Sequence, residues 1–404
     1  MTTPSQPEIN APEDQWLVYA DALQEVGDPR GELIALNKKV AEGADPGERD
    51  AFVREHAAPL LGGAGAHVEA YELGWHGSTC VLERATIRVG PRDDPAALVG
   101  ALLDSAAAAD LREIALTGVA ESDGDRIDLA PGVARLAAGM PRSCTAVSLA
   151  DERAGRSRSL ISRDYDPMEN LVQLGSLAEL CALPRLERLR IVTADPYQTS
   201  FQDLEAPGLR SFALHGLRFA LAYDAPSELA TQIASIRWPR LEELELTLAE
   251  TWTASVPNED GCYVSAYSDP EDAEYLEEYG EDDGWNEGVP WPQELAGVLG
   301  NLKQTPLRRL ALTSFDSAAQ LLEALVEHGL PETLEELDLS NSSLAGEHVQ
   351  RFLEHKETFG GLKRLVLEGT LITEAEAEAL AGLGPEIRHS GGGGARYRYL
   401  VGME

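Results

Sequence analysis

The chain has 404 residues, 43% of them hydrophobic, and a formal net charge of -36, with a pI near 4.5. Such a charge repels phosphate backbones and anionic headgroups, so nucleic acid and membrane surfaces are excluded as expected partners and a basic protein is favoured. The same acidity also serves solubility.

The opening stretch MTTPSQPEINAPEDQ has no basic segment followed by an apolar one, so no secretory signal is expected. No apolar run reaches the roughly 18 residues of a membrane span. Cys80, Cys144, Cys181 and Cys262 lie far apart, without the paired spacing of a zinc site or the density of a disulfide scaffold. A reducing cytoplasm is the consistent compartment. Only five of the 33 basic residues are lysine, which with the abundant Ala and Gly suits a GC-rich bacterial genome.

Residues 14–36, DQWLVYADALQEVGDPRGELIAL, place Trp16, Leu17, Ala20 and Leu23 on one helical face, then break at GDPRG before a second helix. Pro29 fixes its own φ and has no amide hydrogen, while Gly27 and Gly31 allow turn conformations. A helical domain is expected over 1–60. Asp21, Asp28, Arg30 and Glu32 form either a binding cluster or, as the favoured reading, the charged tie of the inter-helix turn.

From Leu82 onward the string LxxLxL recurs. It starts at Leu82, Leu111, Cys144, Leu186, Leu209, Leu241, Leu307, Leu334 and Leu362, with spacings of 29, 33, 42, 23, 32, 66, 27 and 28 residues. Apolar residues at the first, fourth and sixth places suit a short strand with one buried face. Segments of helical period lie between, over 95–109, 317–328, 347–359 and 373–383. Stacked strand–turn–helix units bury jointly what none could bury alone. An ordinary α/β domain with coincidental strings is the competing reading.

The 66-residue interval holds an acidic insertion, 250–291. Asn258–Glu287 carries twelve acidic residues and no basic ones, interleaved with Tyr263, Tyr267, Tyr275, Tyr279 and Trp285. A solvated loop is one reading. The other is a binding loop whose aromatics anchor while its carboxylates meet Lys or Arg. Asp282 and Asp283 lack the ordered spacing of a calcium loop. After the GGGG at 391–394, ARYRYLVGME alternates enough to be an edge strand, and 385–404 is expected to cap the last repeat.

Neither GxSxG, a phosphate-binding glycine loop nor a histidine pair at ligand spacing is present; His348 and His355 are seven apart on one expected helix. No cofactor, metal or catalytic centre is therefore expected.

Two resemblances follow. The LxxLxL strings, over roughly 80–385, resemble the leucine-rich-repeat family, particularly strand-plus-helix horseshoes such as ribonuclease inhibitor. This implies an α/β solenoid over 61–404, with parallel strands on a concave face and helices on the convex one. The asparagine or cysteine that the family places after two further residues is missing. Gly90, Val119, Glu152, Ala194, Leu217, Ala249, Phe315, Ser342 and Thr370 stand there, so the usual side-chain ladder of the turns is not expected. The front segment resembles the repeat-companion domain of myxobacteria and planctomycetes, whose pattern is close to LVYADWLEERGDPRGEFI. Residues 17–21, Leu23, Glu25 and 27–32 match it, and Ala22 replaces its usual tryptophan. That family precedes repeats, so the match implies context rather than chemistry.

The expected function is a non-catalytic protein-interaction module, monomeric on its own, that binds a basic partner. Early repeats offer Arg84, Arg88, Arg188 and Arg190 on the wall; later ones offer Glu243, Glu245, Glu336, Asp338 and Glu368 beside Arg309 and Arg364. Ordinary polar strand faces would look the same. An inhibitor or immunity protein against an enzyme or toxin, a structural subunit of an assembly, and an enzyme with a hidden site remain the alternatives.

Overall fold

The computed structural model describes residues 5–120, 125–152, 172–193, 199–201, 204–217, 228–248, 255–257, 263–265, 291–315 and 318–390. The chain divides into two compact units, Met1–Arg153 with Arg163–Arg190, and Ala154–Ser162 with Ile191–Glu404.

The first unit begins with α1 (Glu13–Glu25) and α2 (Pro29–Ala41). Trp16, Tyr19, Ala20 and Leu23 fill the buried side of α1, so Tyr19 takes the place expected of the half-buried Leu17. These residues form one apolar cluster with Ile34 and Val81. The front helices are therefore docked on the segment Cys80–Val81 just ahead of the next strand, and the buried Asn37 side chain donates to the Thr79 carbonyl at 2.6 Å.

The GDPRG turn is a helix start. Gly27 has φ +73, and Pro29 opens α2 where its missing amide hydrogen costs nothing. Asp28 caps that helix, accepting from the Arg30 amide and from Arg30 Nε, both at 3.0 Å. Glu32 accepts from Gln24 at 3.1 Å, whereas Asp21 is exposed. Gly31 lies inside α2 rather than in the turn; a Cβ there would sit 2.6 Å from the Ala20 carbonyl oxygen, so it serves helix contact. The Arg30 guanidinium holds the Asp28 carboxyl below the usual carboxylate range. We expect Asp28→Ala to cost about 1 kcal/mol at neutral pH. A depressed carboxyl stabilises above its unfolded value and stops doing so as pH falls through its folded one. Urea titrations of wild type and variant should therefore converge in acid.

After α3 (Gly47–Glu55) and α4 (Ala57–Leu61) come β1 (Tyr71–Trp75) and β2 (Leu82–Val89), an antiparallel pair. Next are α5 (Pro95–Leu103), β3 (Glu113–Gly118), α6 (Ala130–Gly139), β4 (Ala146–Asp151), α7 (Ala178–Cys181) and β5 (Arg188–Val192). Strands β2, β3 and β4 run parallel, with Ala85, Ile114 and Val147 in one row and Ile87, Leu116 and Leu149 in another. Cys144 and Cys181 are buried and Cys80 half-buried. Burial pushes the three thiols up, to about 11 for Cys80 and Cys144 and about 12 for Cys181, so they behave as small hydrophobes.

The second unit alternates β6 (Ser211–Leu217), α8 (Glu228–Ser235), β7 (Glu243–Leu248), α9 (Trp291–Leu302), β8 (Arg309–Thr313), α10 (Ala318–His328) and β9 (Glu336–Asp338). It continues with α11 (Gly346–Glu354), α12 (Lys356–Phe359), β10 (Arg364–Val366), α13 (Glu374–Leu380) and β11 (Glu386–Arg388). Neighbouring strands are parallel and in register, so that Phe212, Leu244, Leu310, Leu337, Leu365 and Ile387 stack in one row. Leu244, Leu310, Leu337 and Leu365 are fully buried. Each such side chain contributes about 2 kcal/mol by leaving water.

All nine LxxLxL strings enter strands, the first apolar residue usually two positions ahead of the strand. Of the strands β1 to β11, two arise without the string: β1, and β11, where Leu383 and Ile387 are one residue further apart than the repeat allows. The proposed edge strand at 395–404 lies outside the described residues. The helix expected over 347–359 breaks at His355, so His348 and His355 sit at the start and just past the end of α11.

The missing asparagine ladder is partly replaced in the last repeats. The buried Ser342 hydroxyl accepts the Phe315 amide at 3.1 Å across two repeats, and the buried Thr370 hydroxyl donates to the Leu367 carbonyl at 2.8 Å. The residues just before these positions, Ser314, Asn341 and Gly369, share a left-handed backbone with φ +63, +58 and +69. That repeated turn lets the Ser314 amide reach the Ser340 carbonyl at 3.0 Å and the Asn341 amide reach the Glu368 carbonyl at 2.8 Å. A short hydroxyl and a backbone turn thus do what a longer amide side chain would do.

Candidate functional site

Strand alternation in the second unit sends leucines inward and leaves the residues between them on the outer face. In register, Glu243, Arg309, Glu336, Arg364 and Glu386 occupy one row, alternating in charge strand by strand. Asp338 and Arg388 stand two residues further along β9 and β11, on the same face.

Arg309 is the centre. Its Nε donates to Glu336 at 3.0 Å, and its terminal nitrogens donate to Glu245 at 3.2 Å and Asp338 at 3.1 Å. Arg364 bonds the second Glu336 oxygen and lies 3.4 Å from Glu386. Arg388 reaches Glu386 at 3.1 Å. At the other end His215 Nε2 lies 3.4 Å from Glu245. Asp338 also accepts from the Ser340 amide at 3.0 Å, which fixes its rotamer. Further along the same face, the Thr247 and Thr313 hydroxyls share a buried hydrogen bond of 2.7 Å.

Burial works against the Arg309 charge, but Glu245, Glu336 and Asp338 outweigh it and hold the guanidinium more basic than usual. Glu336 does the same for Arg364. Arg388, then Arg364, hold the Glu386 carboxyl below its ordinary range. Chemically this is a pre-organised array of fixed charges.

The structure thus joins Glu245, Arg309, Glu336, Asp338 and Arg364, residues singled out in the sequence, into one network. Glu243 and Glu368 are exposed and make no ion pair among the described residues. Tyr263 lies in a two-stranded ribbon, where Ser255–Pro257 pairs antiparallel with Tyr263–Ser265. Tyr267, Tyr275, Tyr279 and Trp285 lie outside the described residues. Sequence reasoning missed His215, Glu386 and Arg388. His215 could have been found as the outward residue directly after an inward leucine; the other two lie on the strand without the repeat string.

In the first unit Arg88 is engaged, with Glu72 at 2.9 Å and Glu152 at 3.1 Å, while Arg84, Arg188 and Arg190 are exposed. A cleft of about 630 Å³ lies beside the GDPRG turn, between Leu33, Trp75, Cys80 and Asp110, with Arg30 at its wall already paired to Asp28. Among the described residues no group of three His, Cys, Asp or Glu is placed to hold a metal ion. None of their helices is long and apolar enough to cross a membrane.

No family model matches the sequence, and no curated protein matches it significantly. Solved structures do. A Bacteroides fragilis protein aligns over 72% of this chain and 69% of its own at 15% identity and TM-score 0.47. The leucine-rich repeat-containing protein LegL7 of Legionella pneumophila aligns over 76% and 89% at 14% identity and TM-score 0.34. An internalin, InlF, of Listeria monocytogenes aligns over 94% and 97% at 12% identity and TM-score 0.21. The fold itself stands on the recurring LxxLxL strands, their parallel in-register leucines and the helices between them: within each unit this is leucine-rich-repeat architecture.

Proposed function

We propose that the chain is a non-catalytic protein-interaction module that receives a basic partner surface on the outer face of β7–β11, aided by the 250–291 insertion. The observation that carries this reading is the charge imbalance of a fixed face. Glu243, Glu245, Glu336, Asp338, Glu368 and Glu386 stand against Arg309, Arg364 and Arg388. The paired carboxylates are already held, so they define shape and potential. Glu243 and Glu368 are the open acceptors for lysine or arginine across an interface.

The test is affinity capture from native lysate at low and moderate salt, with Glu243→Lys/Glu368→Lys and a deletion of Asn258–Glu287 beside wild type. A partner of basic pI should be retained by wild type, fall by about tenfold with the charge reversal and weaken with salt. Retention by the reversal variant but not the deletion would move recognition to the insertion. Retention by both would remove this face from the function.

A further inference from the structure

In a chain of net charge -36, one sheet face that gathers three exposed arginines without a carboxylate partner stands out. It lies in the first unit. Among the described residues Arg84, Arg188 and Arg190 make no ion pair; Arg54, Arg92 and Arg142 of the same unit are likewise exposed and unpaired, but they lie outside the strands.

Backbone hydrogen bonds fix how they are arranged. The amides of Arg112, Thr145 and Glu187 donate in turn to the carbonyls of Glu83, Arg112 and Thr145. Arg84, Glu113, Ala146 and Arg188 therefore follow in one row across β2, β3, β4 and β5. Thr86, Ala115, Ser148 and Arg190 follow in the next. Arg84 thus stands three strand spacings from Arg188, about 14 Å. Its side chain runs along Gly74, where a Cβ would lie 3.2 Å from Arg84 Nε, so the glycine gives the guanidinium room to lie on the rim. The floor between the rims is Thr86, Ala115, Ala146 and Ser148, none longer than a γ atom, with Glu113 its one charge. Arg88 is tied to Glu72 and Glu152 and closes the side of the floor.

We propose that this face is a docking surface for an extended acidic segment of a protein partner, one carboxylate meeting Arg84 and another meeting Arg188 and Arg190. An extended chain covers about 14 Å in roughly four residues, so the matching segment carries acidic residues four positions apart. Glu113 demands that the residues between them be neutral. A continuous polyanion such as single-stranded nucleic acid would set phosphates against Glu113, and the guanidinium fork matches a carboxylate bidentately. The proposal does not rest on recognition by β7–β11, and its residues are separate.

The experiment is fluorescence anisotropy on the full chain with three labelled probes: Glu-Gly-Ser-Gly-Glu, its lysine counterpart Lys-Gly-Ser-Gly-Lys, and a short oligo-dT. Wild type should bind the glutamate peptide saturably at low salt and neither of the other probes. Arg84→Ala and Arg188→Ala/Arg190→Ala should each weaken binding about tenfold. Glu113→Gln should tighten it severalfold, a gain that no folding defect can mimic, and Arg351→Ala, an exposed arginine on α11, should leave it unchanged. Circular dichroism and thermal midpoints identify any variant that has lost structure. Absence of saturable binding to wild type, insensitivity to both arginine variants, or preference for oligo-dT would each overturn the proposal. Capture of a basic partner by β7–β11 can succeed or fail independently.

Discussion

Replacing Gly216 with alanine is expected to cost at least about 3 kcal/mol, the largest loss of any single methyl addition in the described chain. Gly216 sits near the end of β6 at φ +92, where the register against β7 slips between His215 and Leu217. Any side chain is strained at that φ. A Cβ would also fall 1.7 Å from the carbonyl oxygen of Thr193. That oxygen belongs to backbone held in place, since the Thr193 amide donates to the His215 carbonyl at 3.1 Å. No rotamer change can relieve the contact, so the bulge must open, and repeats stacked on one another transmit the loss to their neighbours. Gly361→Ala is the control, because a Cβ there meets nothing within 4 Å. Urea unfolding should show a much lower midpoint for Gly216→Ala and a near-native one for Gly361→Ala. Equal midpoints would mean that the bulge is soft.

Such a position is invisible in a sequence of 37 glycines. What the sequence did reveal was set by local periodicity: alternation puts Leu244, Leu310, Leu337 and Leu365 inward wherever LxxLxL occurs. It failed where a strand forms without that spacing, as at Glu386–Arg388, and at β1, which is held by antiparallel pairing with β2. The charged network is the instructive case. Glu243, Arg309, Glu336 and Arg364 hold the same place in successive strings, and their alternation of sign is plain in the letters. Singled out one by one they suggested contacts to a partner. In a parallel sheet of register zero the same place in the next repeat is only about 4.8 Å away, so the arginines answer to their neighbours first. The role of Ser342 was hidden for another reason: a shorter side chain suffices only because the preceding turn is left-handed, which one residue's identity does not announce.

Arg309→Met is expected to lower stability by about 2 kcal/mol at neutral pH. Truncating one member of a fully buried ion pair costs roughly 3–5 kcal/mol; here the guanidinium side chain is 32% exposed and its partners Glu245, Glu336 and Asp338 are 30%, 20% and 14% exposed, so solvent screens part of the loss. Methionine keeps the packing of the stem, which isolates the charge. Three carboxylates then face each other, with Arg364 still on Glu336 and His215 near Glu245. Salt screens that repulsion, so the deficit should shrink as ionic strength rises, whereas a packing defect would be nearly indifferent to it. Neutralising two of the three, in Arg309→Met/Glu336→Gln/Asp338→Asn, should recover most of the loss, and a simple sum of the separate costs would deny the network. Lysine is expected to restore only part, because one ammonium cannot serve three carboxylates as a planar fork does. The same substitution bears on function in the opposite direction. It unmasks negative charge on the face proposed to meet a basic partner, so Arg309→Met should capture that partner more strongly while being less stable. Weaker capture by a folded Arg309→Met variant would instead make the guanidinium itself part of the contact, and the partner's matching group an acid.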